Sequence, residues 1–148
     1  MIEGFLVLAD SATTDKSSGK VHMLGAGWSV TGPAIPPSAV SGFLRVPWDE
    51  AGEALRFRLR LVDEDRNGVK VLHGDGETRA VGFEGTLELR DAEPPDEIME
   101  QVPMNLSFAI SVPSLPLPAG RVYEWLFDVE DTEVASVRFA VRAETTYR

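Results

Sequence analysis

Apolar and polar side chains alternate along much of the chain, and this period of two is typical of strands with one buried face. In the stretch 55–61, leucine and phenylalanine occupy the odd positions and arginine the even ones. The stretch 102–112 repeats the pattern, with apolar side chains at every even position. At 3.6 residues per turn these apolar positions would be spread around a helix, so both stretches predict strands.

Shorter apolar runs predict further strands and bring the number to about nine. Gly25 and Gly27 fall within one of them, where glycine indicates a bulge or a close approach of another backbone segment. The best helical segment, 96–101, is long enough for only a turn or two. The additional strands are predicted at 2–9, 20–31, 40–48, 68–73, 79–90, 121–129 and 134–142.

Many short strands without a crossover helix predict an all-β fold with antiparallel pairing. Strands with arginine on one face and leucine on the other need only one buried face, which favours two packed sheets. We therefore expect a single domain over 1–148, a two-sheet antiparallel β-sandwich of about nine strands, immunoglobulin/fibronectin-like. The proline-rich segments 31–40 and 92–98 are predicted to be loops.

The segment "LPLPAGRVYEWLF", residues 115–127, predicts a corner between the sheets. Pro116 and Pro118 have no N–H to donate to a ladder, and Gly120 permits a positive φ. Tyr123 can pack its ring while its hydroxyl binds a nearby backbone group, as in the tyrosine corner of sandwich domains.

Composition and charge exclude some classes of partner and site but identify none. The 148 residues carry a net charge of −10, of which residues 61–100 hold −8, with four basic and twelve acidic side chains. Such a surface repels phosphate backbones, so nucleic acid is not an expected partner. Cysteine is absent, which excludes disulfides, thiolate metal sites and cysteine nucleophiles.

The amino-terminal stretch "MIEGFLVLAD" has an acidic flank, no basic n-region and no small-residue cleavage site. No apolar stretch approaches the ~18 residues of a membrane span. We expect a soluble protein without a signal peptide, located in the cytoplasm or assembled on a phage particle, with no membrane partner.

The string "DEDRNG", residues 63–68, resembles the start of an EF-hand calcium loop, which requires a bidentate glutamate at its twelfth position. Counted from Asp63, that position is Gly74, and both flanks alternate like strands. The stretch therefore predicts a hairpin turn with left-handed residues at Asn67-Gly68. A calcium site at a sandwich edge, using Asp63, Asp65, Asn67 and Asp75, remains the alternative.

Other catalytic or cofactor motifs are incomplete. "GAGWSV", residues 25–30, lacks the third glycine and the helix of a dinucleotide site. His73, Asp75 and Glu77 could contribute to a metal site, but an exposed turn is the favoured interpretation. No G-x-S-x-G is present, and no cofactor is predicted.

Three tryptophans could stack on a sugar ring or a protein partner. Trp125 shares its strand face with apolar side chains, so we expect it in the core. Trp48 and Trp28 remain as a possible interaction surface, with Trp48 expected to be the more exposed because it follows a proline and precedes an acidic segment.

Three stretches, which together span about 2–142, carry a resemblance to known proteins: "FLVLADSATTDKSSGKVHMLGAGW", "RVPWDEAGEALRFRLRLVDEDRNGV" and the closing "LPLPAGRVY" corner with its final strand. They resemble a family of short uncharacterised bacterial proteins, also carried by some phages, that is known as a domain of unknown function. The segment 15–19 and the pair Arg66-Asn67 depart from the family pattern. The resemblance implies a compact β-sandwich and supplies no catalytic residues.

The expected function is therefore a non-enzymatic interaction or structural module that binds a protein partner or itself. A component of a phage or phage-like particle, such as a capsid decoration or tail-associated protein, is a specific form of this prediction. The alternatives are a carbohydrate-binding or other small-ligand-binding sandwich and, as a second alternative, a metal-dependent enzyme.

Overall fold

The computed structural model describes residues 1–52, 54–89 and 96–145, which form twelve strands and two single-turn 3₁₀ helices. No helix in these ranges is long and apolar enough to cross a membrane. The helices are Trp48–Glu50 and Met99–Gln101, and the strands are β1 (Glu3–Ala9), β2 (Ser11–Thr14), β3 (Val21–Leu24), β4 (Val30–Thr31), β5 (Ser38–Val46), β6 (Ala54–Val62), β7 (Lys70–Leu72), β8 (Thr78–Ala80), β9 (Gly82–Glu88), β10 (Met104–Val112), β11 (Arg121–Val129) and β12 (Thr132–Val141).

Two open sheets hold most of these strands. One has three strands in the order β1-β5-β10, and the other has five in the order β4-β12-β11-β6-β9. All pairings in them are antiparallel except that of β4 with β12. The hairpins β2-β3 and β7-β8 form two further sheets of two strands each. The expected all-β architecture with antiparallel pairing is confirmed.

The two larger sheets share one hydrophobic core. The ring of Phe57 in β6 stacks on that of Phe108 in β10, with centroids 5.6 Å apart, and Phe108 stacks on Phe127 of β11 at 4.9 Å. Trp125 is 3% exposed, as expected from its strand face. The core forms because alternate side chains of both sheets are apolar and turn toward each other.

Two glycines make room for the stacked rings. Gly42 lies opposite Phe108 in the β5-β10 ladder, and a Cβ built there would overlap the Phe108 ring. Gly85 lies opposite Phe57, and its Cβ would come within 2.8 Å of that ring. Each ring therefore covers the backbone of its cross-strand glycine.

The continuous strand predicted at 20–31 is wrong, since β3 ends at Leu24 and β4 begins at Val30. Gly25 and Gly27 interrupt it with φ of 61° and 94°. The Gly27 N–H donates to the Leu8 carbonyl oxygen at 2.7 Å, so the close backbone approach expected of these glycines is confirmed.

The described residues contain more strands than the nine expected. The stretch 79–90 divides at Val81, a core residue whose N–H donates to the carbonyl of Val69 at 2.9 Å. β2 lacks apolar alternation and was not predicted. Residue 90 and positions 92–95 of the predicted loop lie outside the described residues.

The predicted corner between the sheets is confirmed. The Tyr123 hydroxyl donates to the Pro118 carbonyl at 2.9 Å, and the ring is 3% exposed. Gly120 has a φ of 74°. Burial raises the pKa of Tyr123 above its ordinary value.

Candidate interaction surface

The three-stranded sheet has one face in the core and one face turned outward. Alternation along β1 places Leu6 and Leu8 in the core and directs Phe5 and Val7 outward. Along β5 the same rule turns Leu44 inward and Phe43 outward.

The β2-β3 hairpin covers one half of this outward face. Ala9, Ala39 and Ser41 belong to the outward set, yet they are only 0–1% exposed. At the base of the hairpin the Asp10 N–H donates to the Leu24 carbonyl at 3.0 Å, and near its tip the Ser107 hydroxyl of β10 donates to the Gly19 carbonyl at 3.3 Å.

The hairpin tip has its own local hydrogen bonds. Asp15 Oδ1 accepts from the Ser17 hydroxyl at 2.7 Å and from the Ser17 N–H at 2.9 Å. These hydrogen bonds, the hydroxyl first, lower the pKa of Asp15. The tip is therefore an ordered cover over part of the sheet.

The other half of the face is open and apolar. Phe5 is 59% exposed and stacks on Phe43, with ring centroids 5.1 Å apart and an interplanar angle of 19°. Beside them lies a cavity of about 440 Å³, which we call the Phe5 cleft. It is lined by Glu3, Gly4, Phe5, Phe43, Leu44, Arg45, Asn105, Leu106 and Ser107.

Charge is nearly absent from this sheet. Its strands are 7, 9 and 9 residues long and contain only two charged side chains, Glu3 and Arg45. These two lie opposite each other in the β1-β5 ladder, and their side chains form an ion pair of 3.5 Å. β10 has no charged residue at all.

The outward face of the five-stranded sheet has the opposite character, because the arginines of β6 meet carboxylates on the neighbouring strands. Arg58 lies 3.3 Å from Glu84 of β9, and Arg60 lies 3.1 Å from Asp128 of β11. Arg138 of β12 lies 3.4 Å from Glu124. This face is a lattice of ion pairs across the strands.

Glu130 extends the lattice at the turn between β11 and β12. Its carboxylate accepts from the Arg56 N–H at 2.7 Å and from the Arg56 guanidinium at 3.0 Å. The backbone hydrogen bond and then the guanidinium lower the pKa of Glu130.

The two tryptophans predicted as an interaction surface lie off the strands. The Trp48 indole N–H donates to the Met99 and Val102 carbonyls at 3.0 and 2.7 Å, and the side chain is half-buried. Trp28 is half-buried and meets Phe139 edge-on at 5.8 Å. Both pack within the protein, and their use as a binding surface stays a prediction.

The candidate calcium ligands divide between two turns. Asp63 Oδ1 accepts from the N–H groups of Asp65 and Asn67 at 2.9 and 3.0 Å, which closes the turn after β6. Asp75 lies in the turn between β7 and β8, where it pairs with Arg79. Within the described ranges, no three acidic or histidine side chains are grouped to hold a metal ion.

The left-handed residue of the first turn differs from the prediction. Arg66 has a φ of 61°, whereas Asn67 and Gly68 do not have positive φ. The turn folds back as expected of a hairpin, through a single bridge between Val62 and Gly68. The guanidinium of Arg66 lies 2.6 Å from Glu133 and 3.5 Å from Glu124.

The histidines do not meet. His22 is exposed on β3, and His73 is exposed at the start of the turn that contains Asp75 and Glu77. The Glu77 N–H donates to Asp75 Oδ1 at 3.0 Å, so this carboxylate also has a structural partner.

Comparison with models of protein families assigns the chain to a family. A family model matches residues 4–142, which include every strand from β2 to β12 and most of β1. The chain belongs to DUF6941, a family of unknown function. No curated protein and no solved structure matched the chain.

The DUF6941 match confirms the resemblance to a domain of unknown function that the sequence predicted over about 2–142. It spans the Phe5 cleft except for Glu3. It therefore assigns the fold-forming part of the chain to DUF6941 without naming an activity.

Phe5 is the surface residue that sequence analysis missed. The run 2–9 is apolar at nearly every position, a pattern typical of a strand that is covered on both faces. The structure covers Ala9 but leaves Phe5 largely exposed, because the hairpin extends over only part of the sheet. The short side chains at positions 39 and 41, against phenylalanine at 43, are the signal that divides the two halves.

Proposed function

We propose that this protein is a non-enzymatic interaction module that binds a protein partner through the open half of its three-stranded sheet. The fold that carries this surface is proposed to be an immunoglobulin/fibronectin-like β-sandwich. The shared core of the two sheets and the Tyr123 corner support that assignment.

The observation that carries the proposal is an uncharged, aromatic face on a strongly acidic protein. The chain has a net charge of −10, yet the three strands hold a single Glu3–Arg45 pair and expose Phe5. Charge elsewhere keeps molecules apart, while a neutral apolar face can approach a partner without that repulsion.

The cleft has the anatomy of a protein contact. Aromatic side chains in the centre of a patch contribute most of the binding energy at interfaces, and a polar rim excludes water around them. Phe5 and Phe43 form the apolar centre, while Asn105, Ser107 and the Glu3–Arg45 pair lie around them. A partner that covers the Phe5 ring removes a large exposed apolar surface from water.

Site-specific photo-crosslinking tests the proposal. A photoreactive phenylalanine analogue at position 5 is expected to yield a discrete adduct in cells that produce the full chain, identified by mass spectrometry as one protein partner or a second copy. The same analogue at Leu72, which is 68% exposed on the β7-β8 hairpin, is the matched control.

Phe43→Asp provides the second arm of this experiment. A carboxylate beneath the Phe5 ring makes the cleft polar, so the adduct at position 5 is expected to disappear while the Leu72 background is unchanged. Equal labelling at positions 5 and 72, or an adduct that persists in Phe43→Asp, would count against the proposal.

The particle-component form of this function, a capsid decoration or tail-associated protein, stays a prediction. Co-sedimentation of the chain with assembled particles is its test. Adduct formation in cells that contain no particles would contradict this specific form and leave the general interaction function intact.

A further inference from the structure

We infer that the partner is a second copy of this chain, and that the two copies pack face to face with the β2-β3 hairpin of each over the Phe5 cleft of the other. Their contact is the interaction of the proposed function, on which this inference rests. The hairpin and the open half of the sheet form one surface, which we call the stepped face.

The stepped face has a high half and a low half. On the high half, the hairpin adds a second layer, beneath which three outward side chains are only 0–1% exposed. Phe5 belongs to the same sheet face and is 59% exposed, so this layer ends before it. Because β-layers pack about 10 Å apart, the hairpin stands about 10 Å above the low half. The boundary crosses the sheet from β1, where the hairpin begins, to Ser107 of β10, which donates to the hairpin near its tip.

A step of this kind is complementary to itself. When a second copy is placed by a two-fold rotation about an axis along the boundary, its high half lies over the low half of the first copy, and the reverse also holds. Each copy then supplies the layer that ends before Phe5 in the other. The five-stranded sheets lie behind the shared cores, on the sides that face away from this contact, so they do not meet.

The outer face of the hairpin suits the cleft that it would cover. Ala12 and Met23 lie opposite each other in the β2-β3 ladder, turn toward the sheet and are half-buried. The opposite set is exposed and includes no acidic residue, lysine or arginine; it consists of Ser11, Thr13, His22 and Leu24.

An exposed apolar side chain lies on each half of the stepped face. Leu24 is 72% exposed on the high half, and Phe5 is 59% exposed on the low half. A two-fold contact covers both of them in both copies and removes four apolar side chains from water. A foreign partner in the cleft would cover Phe5 and leave Leu24 exposed, so the pair of residues favours a second copy.

Charges at the hairpin tip complement those beside β10. The tip carries the exposed Lys16 and Lys20 and lies over β10. Rotation about the boundary keeps the tip of the second copy on the β10 side of the low half, close to the start of that strand. The segment 96–101, which directly precedes this end of β10, has three exposed acidic residues and no basic one; they are Asp96, Glu97 and Glu100. The lysines of each copy thus approach carboxylates of the other.

The stepped face itself is neutral. β1, β5, β10 and the segment 10–24 contain three acidic and three basic residues, while the whole chain has a net charge of −10. Two copies can therefore meet through this face with less repulsion than through the rest of their surface.

Photo-crosslinking of the purified chain tests the placement. A photoreactive phenylalanine analogue at position 5 is expected to give a band of twice the chain mass on a denaturing gel, and mass spectrometry is expected to locate the crosslink within residues 11–24. Mixing isotope-labelled with unlabelled copies identifies the crosslinks between copies. The analogue at Leu72 is the matched control and is expected to give no such band. A crosslink between copies that maps outside 11–24 would contradict the stepped arrangement.

Phe5→Asp is expected to weaken the dimer by about tenfold or more in sedimentation velocity, because it places a carboxylate against the apolar hairpin face of the second copy. Leu72→Asp makes the same change at another exposed apolar residue and is expected to retain the dimer. Far-ultraviolet circular dichroism of both variants verifies the fold.

Charge reversal tests the orientation of the two copies. Lys16→Glu with Lys20→Glu is expected to weaken the dimer, because the tip then faces the carboxylates of segment 96–101. Adding Glu97→Lys and Glu100→Lys to the same chain is expected to restore it, since the two-fold contact pairs the tip of each copy with that segment of the other.

Asp65→Lys with Glu77→Lys is the matched control for this restoration, because it makes the same change in net charge at exposed turn residues outside the stepped face. When it is added to the weakened variant, the dimer is expected to stay weak. Equal recovery with both pairs would assign the effect to net charge alone and overturn the proposed orientation.

Sedimentation velocity of the unmodified chain, over a concentration series up to several hundred micromolar, completes the test. A monomer at every concentration would overturn the inference, as would a dimer that Phe5→Asp leaves unchanged. If the chain stays monomeric while photo-crosslinking at position 5 in cells identifies another protein, the second-copy inference fails and the proposed function stands. A dimer unaffected by Phe5→Asp, together with no adduct at position 5 in cells, would contradict both.

Discussion

The Tyr123 hydroxyl stabilises the corner through which the chain passes from one sheet to the other. The chain leaves β10 in one sheet, passes through the proline-rich corner and enters β11 in the other, and the Tyr123 hydroxyl binds the Pro118 carbonyl within this passage. The buried ring fixes the entry of β11 against the core, where it stacks on Phe139 at 5.8 Å.

Tyr123→Phe is expected to lower the free energy of unfolding by about 1 kcal/mol at neutral pH, because it removes this hydrogen bond and leaves the shape of the ring unchanged. Urea denaturation measures the change, with an unaltered m value showing that the same surface is exposed on unfolding. A loss well above 3 kcal/mol would contradict the assignment of the effect to one hydroxyl.

Alkaline pH provides a second test of the Tyr123 hydroxyl. Burial raises the pKa of Tyr123 in the folded state, so its contribution is complete below the ordinary value of 10.0 and is lost as pH rises through the folded pKa. The stability gap between the wild type and Tyr123→Phe is therefore expected to narrow above pH 10 in urea titrations. Parallel curves would contradict this expectation.

Glu130 is the acidic counterpart of Tyr123. It lies with Asp131 in a two-residue turn, both with positive φ of 47° and 64°, and its carboxylate binds the N–H and guanidinium of Arg56. Because these partners lower its pKa, the stabilisation is present above the ordinary carboxyl pKa and is lost as pH falls through the folded value.

Glu130→Gln is therefore expected to be less stable than the wild type at pH 7 and to approach it as the pH falls below the ordinary carboxyl range. Thermal unfolding at neutral and acidic pH measures the two differences. Asp131→Asn is the control, since its side chain lies 4.0 Å from Arg56 and accepts none of the hydrogen bonds described for Glu130. Equal pH dependence in both variants would remove the special role of Glu130.

At the scale of the strands, two glycines lie opposite phenylalanines on the neighbouring strand and leave room for their rings. Gly42 and Gly85 leave space that Phe108 and Phe57 fill, and these rings form the contact between the two sheets. A methyl group in that space would displace a ring from a stack that continues to Phe127.

Gly42→Ala is expected to destabilise the fold by about 2 kcal/mol or more and to change the near-ultraviolet circular dichroism of the aromatic stack. Gly74→Ala is the matched control, because no atom lies within 4 Å of the position of a Cβ at Gly74. Its effect is expected to stay within about 0.5 kcal/mol in urea denaturation. Similar losses in the two variants would contradict the packing role of Gly42.

The elements differ in how far the sequence determined them. β6, β10, β11 and β12 were predicted because alternation over nine or ten residues is a long signal. β2 was missed because the polar segment Ser11–Thr14 is a strand only by virtue of its partner β3. Pairing with a partner strand can make a strand of a segment whose own strand propensity is weak. Such pairing cannot be recognised from a single sequence.

The candidate surface was less predictable than the strands. Trp48 and Trp28 were chosen because large exposed aromatics bind partners, but the structure gives both of them packing contacts. Phe5 could not be separated from its apolar neighbours, since its exposure depends on how far a hairpin of another segment extends over the sheet. Exposure of this kind is a property of the tertiary structure.

At the scale of the whole molecule, charge is divided between the two sheets. The three-stranded sheet and the segment 10–24 that covers it contain three acidic and three basic residues, so the whole net charge of −10 belongs to the rest of the chain. The two sheets therefore present surfaces of different charge to any partner.

The neutral sheet has a further consequence for encounters between molecules. When one copy approaches any acidic body to within about the Debye length of 8 Å at physiological salt, repulsion acts on one side of the molecule only. The resulting torque rotates the charged side away and turns the uncharged side toward the other body. The charge distribution thus selects the orientation of a collision before any side chains touch. This orienting effect weakens as added salt shortens the Debye length.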